Sequence, residues 1–274
     1  MIISISIVTY LPQKKQFYET LRTLGVALKF LKDFVESKGE QHYQTLILVD
    51  NSSDLSTFDY RAALANADIE ILVISGQGNV GYGRGHNLAI AMTKSQYHLV
   101  LNSDVAIEQN ALRRAIYFFD NHADVGLIAP LIRSEEGKLQ YLYRRYPTVL
   151  DLMLRGFTPH VLKKYFYIRL AHYEMRDTIN EHDIVWDPPI VSGCFMLFRT
   201  DVLQKVNGFD SRYFLYFEDY DLSLRTHAIA RIACVPSVSI IHCGGGASHK
   251  GLKHIRMFSA SAFKFFNRFG WKWL

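Results

Sequence analysis

Apolar positions along the first 130 residues alternate between short continuous runs and helical stripes. Ile2 to Thr9 is a run rich in β-branched residues, the pattern of a buried strand. From Phe17 to Val35, the residues Leu21, Leu24, Leu28, Leu31 and Val35 recur at helical spacing. Leu46 to Val49 predicts a second strand, closed by the turn-forming cluster Asp50-Asn51-Ser52-Ser53. Ile69 to Ile74 predicts a third, followed by a glycine-rich loop and a helix from about His86 to Thr93. Tyr97 to Leu101 reads as a fourth strand ending at Asn102-Ser103-Asp104, Ala111 to Phe119 as a helix, and Val125 to Ala129 as a strand. Repeated β-α units predict an α/β fold with a mostly parallel central sheet and helices on both faces. Ligands of such sheets sit beyond the carboxyl ends of the strands. Thr9-Tyr10, Asp50-Asn51, the glycine-rich loop and Asp104 all fall there.

The pattern changes after Pro130. Residues 133 to 189 are aromatic, basic and irregular, with a helix predicted over Leu150 to Tyr165. Ile190 to Arg199 reads as a buried strand, and residues 213 to 230 carry an acidic-aromatic motif entering a helix. Arg231 to Val235 and Ser237 to His242 read as two further strands. No repeat or low-complexity linker divides the chain, so a single domain over 1–274 is expected. Hydrophobic residues make up 49% and charged residues 21%, which excludes a disordered chain. A net charge of +5 suits an anionic ligand or a membrane surface and is too weak to indicate nucleic acid. No apolar run reaches the roughly 18 residues of a membrane-spanning helix, and MIISISIVTY reads as a strand rather than a signal peptide. Cys194, Cys234 and Cys243 form no CxxC pair, give no zinc signature and fit a reducing compartment.

Five stretches carry candidate chemistry. GQGNVG, residues 76 to 81, matches the dinucleotide pattern G-x-G-x-x-G. Against that reading, Gly81, Gly83 and Gly85 extend the loop, predicting a helix that starts too late to hold a pyrophosphate, and the loop belongs to the third βα unit. Asn102-Ser103-Asp104 is an acidic pair with one carboxylate replaced by an amide. A divalent cation on a diphosphate needs only one or two protein carboxylates, and the tripeptide is also good turn chemistry. Tyr216-Phe217-Glu218-Asp219-Tyr220-Asp221 sets three carboxylates among aromatic residues, where raised pKa values suit a general base. An acidic helix N-terminus accounts for Asp221, which also lies at i, i+4 from Arg225. His242 ends a strand before Cys243-Gly244-Gly245-Gly246 and would extend an incomplete cation shell at Asp104. In the C-terminal segment Phe258, Ala262, Phe265, Phe266, Phe269 and Trp273 share one helical face, with Lys253, Arg256, Lys264 and Arg268 on the other. That face fits either an interfacial membrane helix or one docked on the core.

Together these stretches resemble the family 2 glycosyltransferases of the GT-A fold, especially bacterial rhamnosyltransferase-like members. The resemblance is carried by IVTY, VDNSS, NVGYGRGHN (79–87), LNSD, VSGCFMLFR, GFDSRYFLYFEDYDLSLR and His242, in the family's order over nearly the whole chain. GFDSRYFLYFEDYDLSLR is highly specific, and GQGNVG then overlaps the family's N-x-G-x-x-x-G-x-N loop by accident. The resemblance implies transfer of a sugar, with inversion, from a nucleoside diphosphate sugar to an acceptor hydroxyl. Residues 1–130 would form the nucleotide-sugar half, 131–250 the acceptor and catalytic half, and 251–274 the amphipathic helix. Thr9, Tyr10, Asp50 and Asn51 would line the nucleotide pocket, together with Asn102 and Ser103. Asn79, Gly83, Arg84 and Asn87 would contact base, ribose or phosphates. Asp104 and His242 would hold Mg²⁺ or Mn²⁺. Asp219 matches the general base and Glu218 its acidic neighbour. Asn102 departs from the Asp of many relatives, which should weaken the cation site. A dTDP- or UDP-sugar donor, dTDP-rhamnose above all, is expected with a glycan or lipid-linked glycan acceptor of bacterial surface polysaccharide. The expected location is the cytoplasm, peripheral on the inner face of the cell membrane. A nucleotidyltransferase and a catalytically silent sugar-nucleotide or glycan binder are the rival readings.

Overall fold

A computed structural model describes residues 1–53, 55, 58–64, 67–244 and 251–274. In chain order the elements are β1 (Ile2–Thr9), α1 (Lys14–Glu36), β2 (Tyr43–Asp50), α2 (Tyr60–Ala63), β3 (Glu70–Ile74), α3 (Tyr82–Met92), β4 (Tyr97–Leu101) and β5 (Val105–Ile107). Then follow α4 (Ala111–Asn121), β6 (Val125–Arg133), α5 (Val149–Phe157), α6 (His160–Lys163), α7 (Tyr167–Tyr173), β7 (Val185–Trp186), β8 (Phe195–Arg199), α8 (Thr200–Lys205), α9 (Glu218–His227), β9 (Arg231–His242) and α10 (Gly251–Phe269).

The strands form one sheet in the order β3-β2-β1-β4-β8-β6-β9-β5, with β7 paired to β9. Its first four strands are parallel, as the β-α repeats predict. The second half is mixed, because β8 runs antiparallel to both β4 and β6. Ile3, Ile5 and Ile7 of β1 are fully buried in the same core as Phe17, Leu21, Leu24, Leu28 and Leu31 of α1. On the alternate positions of β1, Ser6 Oγ lies 2.7 Å from His86 Nδ1 and 2.9 Å from His98 Nε2, so a polar layer fixes α3 over the sheet. Burial drives the His98 pKa down to about 3, so both rings serve as neutral hydrogen-bonding groups.

Register decides which residues meet. Thr9 pairs with Asp50, Val49 with Ile74 and Ile7 with Leu101, so the four parallel strands end along one edge. Antiparallel pairing of Leu101 with Phe195 brings the start of β8 to that edge. Pairing of Val105 with His242 sets Asp104 beside His242.

Four expectations need correction. Helix α3 begins at Tyr82, directly after Gly81, and contains Gly83 and Gly85. A Cβ on Gly83 would lie 2.8 Å from Phe209 Cβ, and one on Gly85 2.8 Å from both methyls of Val8, so these glycines allow close packing rather than loop freedom. The helix predicted over Leu150 to Tyr165 breaks at Pro159, which forces Thr158 into extended backbone. Only Phe195 to Arg199 of the expected Ile190–Arg199 strand is β. Arg231 to His242 is one strand, with a bulge around Pro236 where the pairing jumps from Pro130–Val235 to Leu131–Ser239.

The C-terminal aromatic face is turned inward. Phe265 and Phe266 are buried in a cluster with Tyr213, Phe217, Tyr173 and Leu152, and Phe258, Ala262 and Phe269 pack against it. Arg268, expected on the opposite face, pairs with Asp210 at 2.6 Å and Asp221 at 2.7 Å. Lys264 donates to the Arg212 carbonyl. Trp273 is not on the helix, which ends before Gly270. The tail instead offers the Lys272 and Trp273 carbonyls to the first two amides of α5. The aromatic face that motivated a membrane role is thus covered by the protein's own core.

Replacing Arg268 with Ala removes charged hydrogen bonds to the buried Asp221. It is expected to lower unfolding free energy by about 2 kcal/mol. Lys253→Ala, on the exposed side, should stay within about 0.5 kcal/mol of the parent. Urea denaturation of both variants checks this; equal effects would mean that α10 is not clamped through Arg268.

Candidate active site

The sheet edge carries two carboxylate centres. Asp104 follows β4, and its Oδ1 lies 3.6 Å from His242 Nε2. Gln140 orders the imidazole from behind, with Oε1 3.3 Å from His242 Nδ1 and Nε2 donating to the His242 carbonyl at 2.9 Å. Burial raises the Asp104 pKa, but the His242 imidazole and a hydrogen bond from Asn102 outweigh it, leaving the carboxyl below its ordinary value. Asp104 Oδ1 and Asn102 Oδ1 are buried acceptors with no hydrogen-bond partner among the described residues. Gly244 lies so close that a Cβ would be 2.3 Å from Asp104 Oδ2 and 2.9 Å from His242 Nε2. Two unpartnered oxygens, one carboxylate and one amide, beside an imidazole oriented by Gln140 fit a hard divalent cation that takes its remaining ligands from a diphosphate. No cluster of three His, Cys, Asp or Glu occurs among the described residues, so the protein alone would not complete the shell. Gly245 and Gly246 of the glycine run lie outside the described residues.

The second centre is the start of α9. Asp219 Oδ2 accepts the Gly193 N–H at 3.1 Å and Oδ1 accepts the Tyr220 N–H at 3.0 Å. Burial raises its pKa, while these amides and the Arg144 guanidinium pull the other way. Glu218 is buried, with Oε2 unpartnered among the described residues. Burial, reinforced by the Asp219 charge, pushes its pKa up to about 8. Burial thus raises both carboxyls, Glu218 the further, because the Asp219 charge adds to its burial while backbone amides offset part of the rise at Asp219. The two centres flank the buried Cys194. The Cys194 thiol is pushed up to about 12 by burial, with the charges of Asp104 and Asp219 both adding to the shift.

Tyr82 is a site residue that sequence reasoning missed, although NVGYGRGHN contains it. Its hydroxyl donates to the Gly193 carbonyl at 2.6 Å, and the N–H of that same residue holds Asp219. Arg144 was missed as well, since nothing periodic marks it within residues 133–189.

Other expected ligand residues make internal bonds. Asp50 accepts Ser52 N–H and Oγ at 3.0 and 2.9 Å and Leu55 N–H at 2.8 Å, closing its own turn. Asn51 donates to the Gly81 carbonyl, and Asn79 Oδ1 accepts the Gly81 N–H. Asn87 clamps Phe209 through both backbone groups at 2.7 and 2.9 Å. Gly83 packs on the Phe209 ring. Arg84 Nε donates to Ser211 O at 2.6 Å. Thr9 is buried, Tyr10 is exposed, and Ser103 is half-buried at the edge. The α3 N-terminus, which a dinucleotide would need, is covered: the Tyr82 N–H donates to the Phe214 carbonyl at 3.1 Å.

Comparison with known proteins gives consistent matches. The family model described as Glycosyl transferase family 2 matches residues 24–206. Rhamnosyltransferase WbbL of Escherichia coli is 28% identical over 226 residues, which are 78% of this chain and 78% of that protein. N-acetylglucosaminyl-diphospho-decaprenol L-rhamnosyltransferase of Mycobacterium tuberculosis is 27% identical over 213 residues, 72% of this chain and 66% of that one. Among solved structures, Staphylococcus aureus TarS 1–349 with UDP-GlcNAc superposes with a TM-score of 0.59 at 16% identity, covering 97% of this chain and 67% of TarS 1–349. The mannosyltransferase PcManGT of Pyrobaculum calidifontis with GDP-Man and Mn²⁺ gives 0.58 at 12%, covering 96% and 64%.

The Glu218 environment has a readable sign. Its folded pKa of about 8 lies above the ordinary 4.5, so between those values the native state holds more protons than the unfolded chain. That stabilising proton is fully retained below the ordinary value and is lost as pH rises through the folded one. Glu218→Gln copies the neutral form, so its stability relative to the parent should rise between about pH 5 and about pH 8. Denaturation midpoints at both ends check this, and parallel pH profiles would mean that Glu218 ionises normally.

Proposed function

The chain belongs to glycosyl transferase family 2 and has the GT-A fold, and from that premise we propose that it transfers a sugar, with inversion, from a nucleoside diphosphate sugar to an acceptor hydroxyl. The observation that carries this reading is Asp219: a buried carboxyl held by two backbone amides next to Glu218, whose pKa burial pushes up to about 8. An acceptor hydroxyl is a poor nucleophile until a carboxylate takes its proton. Asp219 accepts that proton in a single displacement, and attack opposite the departing diphosphate inverts the anomeric centre. This parallels inverting hydrolysis with a sugar hydroxyl in place of water. Glu218 stays neutral, so no second charge competes for the proton.

Asp104 and His242, with Asn102, would hold Mg²⁺ or Mn²⁺. Such a cation, when bound, neutralises the charge that develops on the leaving diphosphate. The exposed ring of Tyr10 and the half-buried Ser103 would line the approach to the donor, with the buried Thr9 beneath them. Rhamnose from a dTDP-sugar is the favoured donor, on the strength of the rhamnosyltransferase relatives. The acceptor class is a glycan or lipid-linked glycan of bacterial surface polysaccharide. We place the reaction at the inner face of the cell membrane; the three free cysteines suit a reducing compartment. No helix among the described residues is long and apolar enough to cross a membrane. One sheet carries strands from both halves of the chain, which favours reading 1–274 as a single working domain.

Asp219→Asn should keep donor affinity and lower turnover by roughly 10²–10⁴-fold. Donor binding and transfer are measured on the same preparation, and near-normal turnover in a folded variant would remove Asp219 from the chemistry.

Excess chelator should abolish transfer, and Asp104→Ala should weaken donor diphosphate binding in the presence of Mn²⁺ while leaving cation-free binding unchanged. A thermal-shift series of nucleoside diphosphate sugars with and without Mn²⁺ reads this, because a ligand that binds the native state raises its melting temperature. Full activity in chelator would point to a cation-free mechanism.

A further inference from the structure

We propose that a cleft walled by Arg144, Arg155 and Arg176 seats a phosphate or diphosphate group of the acceptor, so that the acceptor is a phosphate-bearing glycan carrier rather than a neutral glycan. The inference rests on the glycosyltransferase reading and gives its acceptor a defined chemistry. The cleft measures about 280 Å³ and includes a single acidic side chain, Glu174, against three guanidinium groups. Glu174 lies 3.4 Å from Arg155 and 2.7 Å from Arg176, so it serves the two rim arginines.

Arg144 has no carboxylate of its own among the described residues. Its side chain is almost wholly buried, the residue being 3% exposed. Nη1 donates to the Tyr141 and Tyr143 carbonyls at 2.5 and 2.7 Å. Nε is buried with no partner among the described residues. Tyr173 covers the guanidinium face at 5.6 Å. A guanidinium keeps its charge in proteins, so a buried, unpaired one needs an anion. Burial and the like charge of Arg155 both push its pKa down, an electrostatic burden that a bound anion would relieve. Phosphate suits the arrangement because its oxygens accept paired N–H bonds from arginine forks.

Position identifies the anion as the acceptor's. Gly244 forms one wall of the cleft and packs against Asp104 and His242. On the other side, Arg144 is close enough to lower the pKa of Asp219, and Tyr173 Oη lies 3.0 Å from Tyr220 Oη, beside the base. The donor's diphosphate has its own partners at Asp104. Apart from Gly244 the cleft is built from residues 139–176, outside the β3-β2-β1 edge where the proposed donor nucleotide would sit.

The test uses the full chain with nucleoside diphosphate and Mn²⁺ saturating the donor site. Inorganic diphosphate is titrated calorimetrically into the parent protein and into Arg155→Gln/Arg176→Gln, whose rim positions spare the buried Arg144; thermal melting verifies folding. The parent should bind, and the double variant should bind at least tenfold more weakly with its donor Kd unchanged. In transfer assays its KM for a phosphate-bearing acceptor should rise by a similar factor. In competition, a short-chain prenyl diphosphate outdoing a sugar phosphate would assign a lipid carrier, and the reverse a soluble phosphoglycan; either supports the cleft's role. Equal weakening of donor binding would make this a donor-phosphate site, and absence of diphosphate binding by the parent would leave a structural arginine cluster; either overturns the proposal. Failure of the glycosyltransferase reading itself would show separately, as no transfer by the parent while diphosphate still binds.

Discussion

The carboxylate of Asp221 joins three parts of the chain on which the active face depends. It is fully buried on α9 and lies 2.5 Å from Arg225 and 2.7 Å from Arg268. Arg225 passes the constraint on by donating to the Val206 and Gly208 carbonyls. Phe209, the next residue, is clamped by Asn87 of α3, and Tyr82 at the start of α3 bonds the Gly193 carbonyl. The Gly193 N–H then holds Asp219, two residues from Asp221. Asp219, the proposed base, is therefore fixed by a closed ring of contacts through two helices and two loops. Buried ion pairs are weak evidence for net stability, because desolvation offsets much of the attraction. Removing one partner leaves an uncompensated buried charge, so the arrangement specifies geometry strongly.

Strain at the entry to α9 has a visible compensation. Tyr216 and Phe217 both adopt left-handed backbone, with φ of 70° and 66°. Bulky residues avoid this region, and each such residue costs on the order of 1–3 kcal/mol. The turn delivers Glu218 and Asp219 to the first turn of a helix, where the dipole favours negative charge. The Phe217 ring is held among Phe258, Tyr220 and Phe265, and the Tyr216 ring lies against Phe258. The C-terminal helix thus fixes the strained turn from outside, and its inward aromatic face holds the backbone that presents Glu218 and Asp219.

The parallel half of the fold was legible because apolar runs and helical stripes in residues 1–130 are local signals. β1, α1, β4 and α4 all occur where periodicity predicts them. Asp104, Glu218, Asp219 and His242 were legible as chemistry-bearing types at element ends, and the sheet order gathers those ends. Tyr82, Gly193 and Arg144 were not legible, since their roles arise from contacts between segments far apart in sequence. Asn87, Gly83 and Asp50 carry a structural role that their motif does not announce. Their motif is readable, yet the atoms are used to close turns and clamp loops, which only three-dimensional packing reveals. The same limit affected Gly83 and Gly85: glycine composition reads as flexibility until a neighbour 2.8 Å from the absent Cβ shows that close approach is the requirement.

The pairing of Asp104 with His242, the proposed cation site, depends on a detail of strand register. Opposite β6, strand β9 advances four positions, from Val235 to Ser239, while its partner advances one, from Pro130 to Leu131. The three extra residues shift the pairing by an odd number, which exchanges the faces of everything downstream relative to the partner strand. Beyond the bulge Ile240 is buried while Ile241 is 39% exposed, so His242 falls on the inward set. Antiparallel pairing with β5 then sets His242 opposite Val105, one residue from Asp104. An unbulged strand would carry His242 to the other face and leave the Asp104 carboxylate without its imidazole. Pro236 has no N–H to give the ladder, so a proline at the bulge makes regular pairing there unfavourable and holds the register that assembles the site.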